Sequence, residues 1–190
     1  MRQLAGLSGR RTSGALLVAG FTAVVAGIAF FAAAGGLETE VYVTFSARAK
    51  SSFLIAAVSL TLLGLIAFDS VLWKAGDRVL SGLGTVAYVV AAVSWVVAEG
   101  RALALHEWTY GLEAVFIVAA GVSMLTFGVA VIRTGAIPRW VGWLAVVWSA
   151  GSLIMFALPH EGYPPMAPQL VPPLFGVALL RSTRSLPFIH

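Results

Sequence analysis

The chain has 190 residues and no cysteine, with 59% hydrophobic residues, only 11% charged ones and a mean hydropathy of +0.94. Soluble chains carry about a quarter charged residues, so this composition excludes a soluble globule, a disordered chain, a coiled coil and a secreted disulfide scaffold. It also removes thiol catalysis, iron–sulfur ligation and Cys-based zinc sites, and twelve basic residues spread between apolar runs make no nucleic-acid patch.

The expected fold is all-α: a polytopic membrane protein forming one six-helix transmembrane bundle over residues 1–190. A helix needs about 20 apolar residues to cross the hydrocarbon core. The first run, Ala15 to Gly35, meets that length without a charge. Arg10, Arg11 and the Ala32-Ala33-Ala34 tract imitate a signal peptide, but the run exceeds an h-region and more spans follow, so it reads as a retained helix. The second span, Phe53 to Trp73, carries Asp69 near its end; the third, Val79 to Ala98, is clean. The fourth, Leu112 to Ile132, has Glu113 at its mouth, and the fifth runs from Trp140 to Leu158. The sixth, Tyr163 to Leu180, is interrupted by prolines.

Basic residues set the orientation. With the N-terminus inside, Arg2, Arg10, Arg11, Lys74, Arg78, Arg133, Arg139, Arg181 and Arg184 are cytoplasmic, and Arg48, Lys50 and Arg101 are outside. Both termini are therefore expected in the cytoplasm, in a cell membrane. The same map sends Glu38, Glu40, Glu99, Glu107, Glu113 and Glu161 to the outer face, with His106 and His160, and leaves Asp69 and Asp77 inside.

Helices in lipid associate through close packing of small residues. Gly20 and Gly27 share a face of the first span, and Gly121 and Gly128 share one in the fourth. Trp73, Trp140, Trp143, Trp108 and Tyr110 fall at the two interfaces as an aromatic belt. Tyr88, Trp95 and Trp148 lie deeper and read either as core or as the wall of a substrate pocket. Pro159, Pro164, Pro165, Pro168, Pro172 and Pro173 crowd the approach to the last span. Freed carbonyls there must face protein or a water-filled cavity. Two readings stand: a loop before a helix starting at Pro172 or Pro173, or a broken helix lining a site with Gln169 inward.

The outer acids and histidines carry the candidate chemistry. Segment 99–113, EGRALALHEWTYGLE, is too polar to span and reads as an interfacial helix or loop. Glu99, Glu113, Glu38, Glu40, His106 and His160 are the candidate catalytic groups: paired carboxyls can split their pKa values, and His can move protons at neutral pH. A solvated rim is the competing reading. Metal is not expected, because HExxH and HxxxH are absent, nor is any cofactor. Asp69 reads as structural, paired with Lys74, Arg78 or Arg133. Lys50 reads as snorkelling.

The stretch IPRWVGWLAVVWSAGSLI, followed by the proline-rich last span ending in GVALLR, resembles uncharacterised bacterial six-span integral membrane proteins over the last quarter of the chain. The resemblance implies no activity. Three function classes fit: an acid/base enzyme of cyclase, isomerase or lyase type on an isoprenoid or lipid-like substrate, a small oligomeric transporter or ligand-binding protein, and a non-catalytic accessory or immunity subunit. Membrane lipids and an apolar or amphipathic small molecule are the expected partners.

Overall fold

A computed structural model describes residues 2–33, 45–106, 109–158 and 166–182, with side chains in the first helix from residue 9 onward and not that of residue 46. These residues form six α-helices, α1 (Arg2–Ala33), α2 (Phe45–Lys74), α3 (Leu80–Leu105), α4 (Tyr110–Thr134), α5 (Arg139–Ala157) and α6 (Val171–Arg181), with a 3-10 turn at Ala167–Leu170 before α6. No strand occurs among them. Helices suit such apolar runs, since lipid offers no partner for backbone N–H and C=O groups.

Five helices are long and apolar enough to cross a membrane, with candidate spans at Gly9–Ala33, Ala47–Lys74, Leu80–Leu105, Tyr110–Thr134 and Arg139–Ala157. Composition and helix lengths are thus compatible with a multi-pass membrane protein. The sixth helix differs from its expected span. It has 11 residues, roughly 16 Å at 1.5 Å per residue, against a hydrocarbon core of about 30 Å. Pro172 and Pro173 sit in its first turn, where a missing N–H costs nothing.

The helices are arranged as a ring. α1 packs on α2 and α6, α2 on α3, α3 on α4 and α4 on α5, while α5 and the 3-10 turn complete the circuit to α6. The buried faces follow a three-four spacing. On α2 it runs Ser51, Leu54, Val58, Thr61, Leu65, Phe68, Leu72; on α3 it runs Ser81, Gly84, Tyr88, Ala91, Trp95, Ala98, Ala102. Valines and leucines such as Val86, Val93 and Leu63 face outward.

Short turns join α2 to α3 and α4 to α5. Gly76 (φ +102°) and Gly135 (φ +63°) take the left-handed conformation that these reversals need. Asp77 accepts from the N–H groups of Val79, Leu80 and Ser81, capping the positive end of α3. The expected glycine contacts form. A Cβ on Gly27 would lie 2.7 Å from Phe53, and one on Gly121 would lie 2.7 Å from Leu153. Trp73, Trp140, Trp143 and Tyr110 are all exposed, as an interfacial belt requires; Trp108 lies outside the described residues.

Two sequence expectations change. Segment 99–113 is no loop from its start, because α3 continues to Leu105 and carries Glu99 on its buried face. Helical spacing reconciles the polarity: Arg101, two residues on, points away and is exposed. Asp69 is half-buried, and no ion pair links it to Lys74, Arg78 or Arg133; Arg78 instead lies 5.5 Å from the ring centre of Trp73.

Candidate functional site

The interior of the ring carries polar groups at three depths. At the end where α3 terminates, Glu99 is 1% exposed although it is a carboxylic acid. Ser51 on α2 donates its hydroxyl to Glu99 Oε2 at 2.6 Å. Lys50 on α2 and Glu113 on α4 are charged neighbours of this carboxyl. Lys50 Nζ also stands 4.9 Å from the ring centre of Phe31 on α1. One carboxyl therefore gathers groups from α2, α3 and α4, and α1 supplies the ring over its cationic neighbour.

One turn deeper, Trp95 and Phe116 form an aromatic floor beneath Glu99, with ring centres 4.6 Å apart. Two further turns down α3 bring Tyr88, which is fully buried. Gln169 from the 3-10 turn donates Nε2 to the Tyr88 hydroxyl at 2.6 Å. Thr61 on α2 stands beside this phenol, its buried hydroxyl also facing Gly20 of α1. Below that level Phe68, Phe127 and Phe175 fill the centre, Phe68 stacking on Phe127 at 5.7 Å and meeting Phe175 at 5.2 Å. The far end is closed by Arg10, 6% exposed, whose Nη2 donates to the carbonyl of Ala136 in the α4–α5 turn.

Four of the ten sequence candidates lie on the inner face at separate depths, Glu99 at one end, Trp95 one turn below it and Tyr88 with Gln169 two turns further. Glu113, partly buried, is a neighbour of Glu99 alone among these four. The two readings of the proline-rich segment merge: a helix does start at the prolines, and Gln169 does point inward. His106 sits apart. It is the left-handed C-cap of α3 (φ 58°), exposed, and roughly 10 Å beyond Glu99 along the helix axis. Trp148 is 45% exposed on the flank, and its indole N–H is taken by the carbonyl of Ala167 at 2.8 Å. Glu38, Glu40 and His160 lie outside the described residues, as do Glu107 and Glu161.

Ser51 and Arg10 were missed by the sequence reading. Both occupy the buried three-four stripe of their helix, Arg10 leading on to Ser13, Leu17, Gly20 and Val24, and that register was the available signal. In α1 the charge of Arg10 suggested a cytoplasmic flank. Burial follows because a guanidinium can satisfy the free carbonyls at the C-terminal end of a neighbouring helix.

Chemically, the Glu99 end offers a carboxyl in apolar surroundings, a hydroxyl hydrogen-bonded to it, a cation and a second carboxyl. An isolated ionised carboxylate costs several kcal/mol in such a place. A single neutral donor does not offset that, so the charge must be balanced by Lys50 or removed by a proton. That pairing is suited to proton exchange with a bound molecule. No known protein family, curated protein or solved structure matches the chain, so the reading of the site rests on this geometry.

Proposed function

We propose that the chain is a six-helix protein of the cell membrane with both termini in the cytoplasm. Its Glu99 end is then an outward-facing acid–base site for an apolar or amphipathic molecule of isoprenoid or lipid type. Orientation rests on the basic residues. Arg10, Lys74, Arg78, Arg133, Arg139 and Arg181 all fall at the end of the ring opposite Glu99, while Arg48, Lys50 and Arg101 fall at the Glu99 end. In this arrangement α6 and its proline-rich approach complete the sixth crossing. Reporter fusions in the Lys74–Arg78 turn should read as cytoplasmic and one beside Arg101 as external; the reverse pattern overturns the orientation.

The observation that carries the site is the burial of Glu99 with its 2.6 Å bond from Ser51. A solvated rim would leave the carboxyl open to water, where it would contribute little. Carboxylates in membrane helices are costly and mark functional positions. Trp95 and Phe116 give the apolar surface on which a hydrocarbon chain would rest, and Glu113 is the second carboxyl that general acid–base work calls for.

An apolar carbodiimide tests this reading. It adds to a protonated carboxyl in apolar surroundings and leaves a stable N-acylurea, readable by peptide mass spectrometry. Labelling should occur at Glu99 and disappear in Glu99→Gln. A labelling pattern identical in wild type and E99Q would sink the acid–base assignment.

A further inference from the structure

Two short turns close the ring at the end opposite Glu99, and they treat charge differently. In the α2–α3 turn Asp77 accepts from the N–H groups of Val79, Leu80 and Ser81, so the turn supplies its own anion to the start of α3. The α4–α5 turn and its flanks carry cations only. Arg133 lies in the last turn of α4, and Arg139 is the first residue of α5, behind Pro138, whose side chain offers no acceptor. No acid occupies the first turn of α5. Arg133 suits the negative end of α4, whereas Arg139 stands at the positive end of α5, where a cation is disfavoured.

A third guanidinium reaches the same turn from within. Arg10 is buried, and its Nη2 donates to the carbonyl of Ala136. Arg139 folds back over the turn from outside, its Nε 3.9 Å from where a Cβ on Gly135 would lie. Arg10 and Arg139 therefore bring like charges to two successive residues. The turn cannot spread to relieve them, because Ala136 and Ile137 are both buried. Arg133 and Arg139 are exposed, and among the described residues no acid pairs with either. Trp140 and Trp143 are exposed beside them, Trp143 one turn from Arg139 along the helix surface. Tryptophans at a helix end settle at the headgroup depth of a bilayer, which puts the two free guanidiniums at the level of lipid phosphates. Leu144 and Val147 continue the exposed surface of α5 toward the hydrocarbon.

We propose that the α4–α5 turn binds an anionic phospholipid, its headgroup phosphodiester held by Arg133 and Arg139 and an acyl chain laid along Trp143, Leu144 and Val147. The forked N–H donors of a guanidinium match two phosphate oxygens at once. A phosphate there also supplies the negative charge that the start of α5 lacks and offsets the repulsion between Arg139 and Arg10. Net charge sets the selectivity. A headgroup with its own ammonium neutralises its phosphodiester, so a glycerol headgroup is preferred to choline. The site rests on the proposed crossing of a membrane, but not on proton exchange at Glu99, which lies at the other end of the ring.

A lipid titration of the delipidated full chain, read by native mass spectrometry, tests this site apart from any molecule retained through purification. The probes are dioleoylphosphatidylglycerol and dioleoylphosphatidylcholine. Wild type should bind the phosphatidylglycerol at least about tenfold more tightly, the effect of charge-assisted hydrogen bonds to one phosphate. The double variant Arg133→Gln/Arg139→Gln should bring the two lipids to within about twofold of each other. Both side chains are exposed, so its melting temperature should match wild type. Arg133→Lys/Arg139→Lys, which keeps the charge without the fork, should lose part of the preference. Lys74→Gln/Arg78→Gln removes the same charge from the other turn at this end and should leave the preference intact. Equal binding of the two lipids by wild type would overturn the proposal. So would an equal loss in K74Q/R78Q, because general surface charge would then suffice. Glu99→Gln should keep the full preference, so a failure of the acid–base reading leaves this result standing.

Discussion

Gly142→Val should cost about 3 kcal/mol or more and prevent α4 and α5 from packing, seen as a collapsed melting temperature in detergent and loss of monodisperse protein. A Cβ on Gly142 would lie 2.7 Å from the backbone oxygen of Gly128, and one on Gly128 would lie 2.9 Å from that of Gly142. Each helix uses its glycine to seat the carbonyl of the other. A flexible side chain could swing aside, but a carbonyl is fixed by its helix, so the whole of α5 must move. Overpacking in a close-packed interior typically costs about 1–3 kcal/mol, and the upper end applies where backbone meets backbone. In lipid no hydrophobic force compensates, because helix association depends on this van der Waals fit. Gly151→Val on the same helix is the control. Nothing lies within 4 Å of its Cβ position, so stability should stay level or rise slightly with helix propensity.

The second large effect is expected on binding rather than on folding. Glu99→Gln preserves the size of the side chain and leaves an acceptor for the Ser51 hydroxyl, so stability should move by no more than about 1 kcal/mol. What it removes is the ability to hold or release a proton and to answer the charges of Lys50 and Glu113. A structural carboxyl would show the opposite pattern, a loss of stability with its binding properties intact. The separation of the two readouts is what gives the substitution its value.

Much of this architecture is legible in the sequence because lipid leaves a chain few options. Uncharged runs of 19 or more residues have to become helices, and the ends of α4 and α5 fall within two residues of the hydropathy boundaries. The glycine pairs Gly20/Gly27 and Gly121/Gly128 point to their contacts through spacing alone. Boundaries fail where polar residues ride on a helix. Hydropathy ends the third span at Ala98, yet α3 continues because Glu99 turns inward to Ser51 while Arg101 turns out. A sum over residue types cannot register that difference; a helical wheel would. Hydropathy also reads Arg10 as a surface charge, since the carbonyl it meets is 126 residues away in the chain. Gln169 was recognisable as a polar residue among prolines, but its partner Tyr88 comes from a contact between distant segments that no local pattern encodes.

The most direct measurement of the central claim is the set of small molecules retained by the purified protein. Wild type, Glu99→Gln and Glu113→Gln would be extracted mildly and compared by native mass spectrometry, with the released molecules identified after organic extraction. Wild type should hold an isoprenoid- or lipid-like molecule at a fixed ratio to the chain. In E99Q that molecule should be lost at least tenfold while the melting temperature stays within a few degrees, and in E113Q it should be weakened to a smaller degree. An identical retained molecule at an identical ratio in all three proteins would contradict a functional site at Glu99.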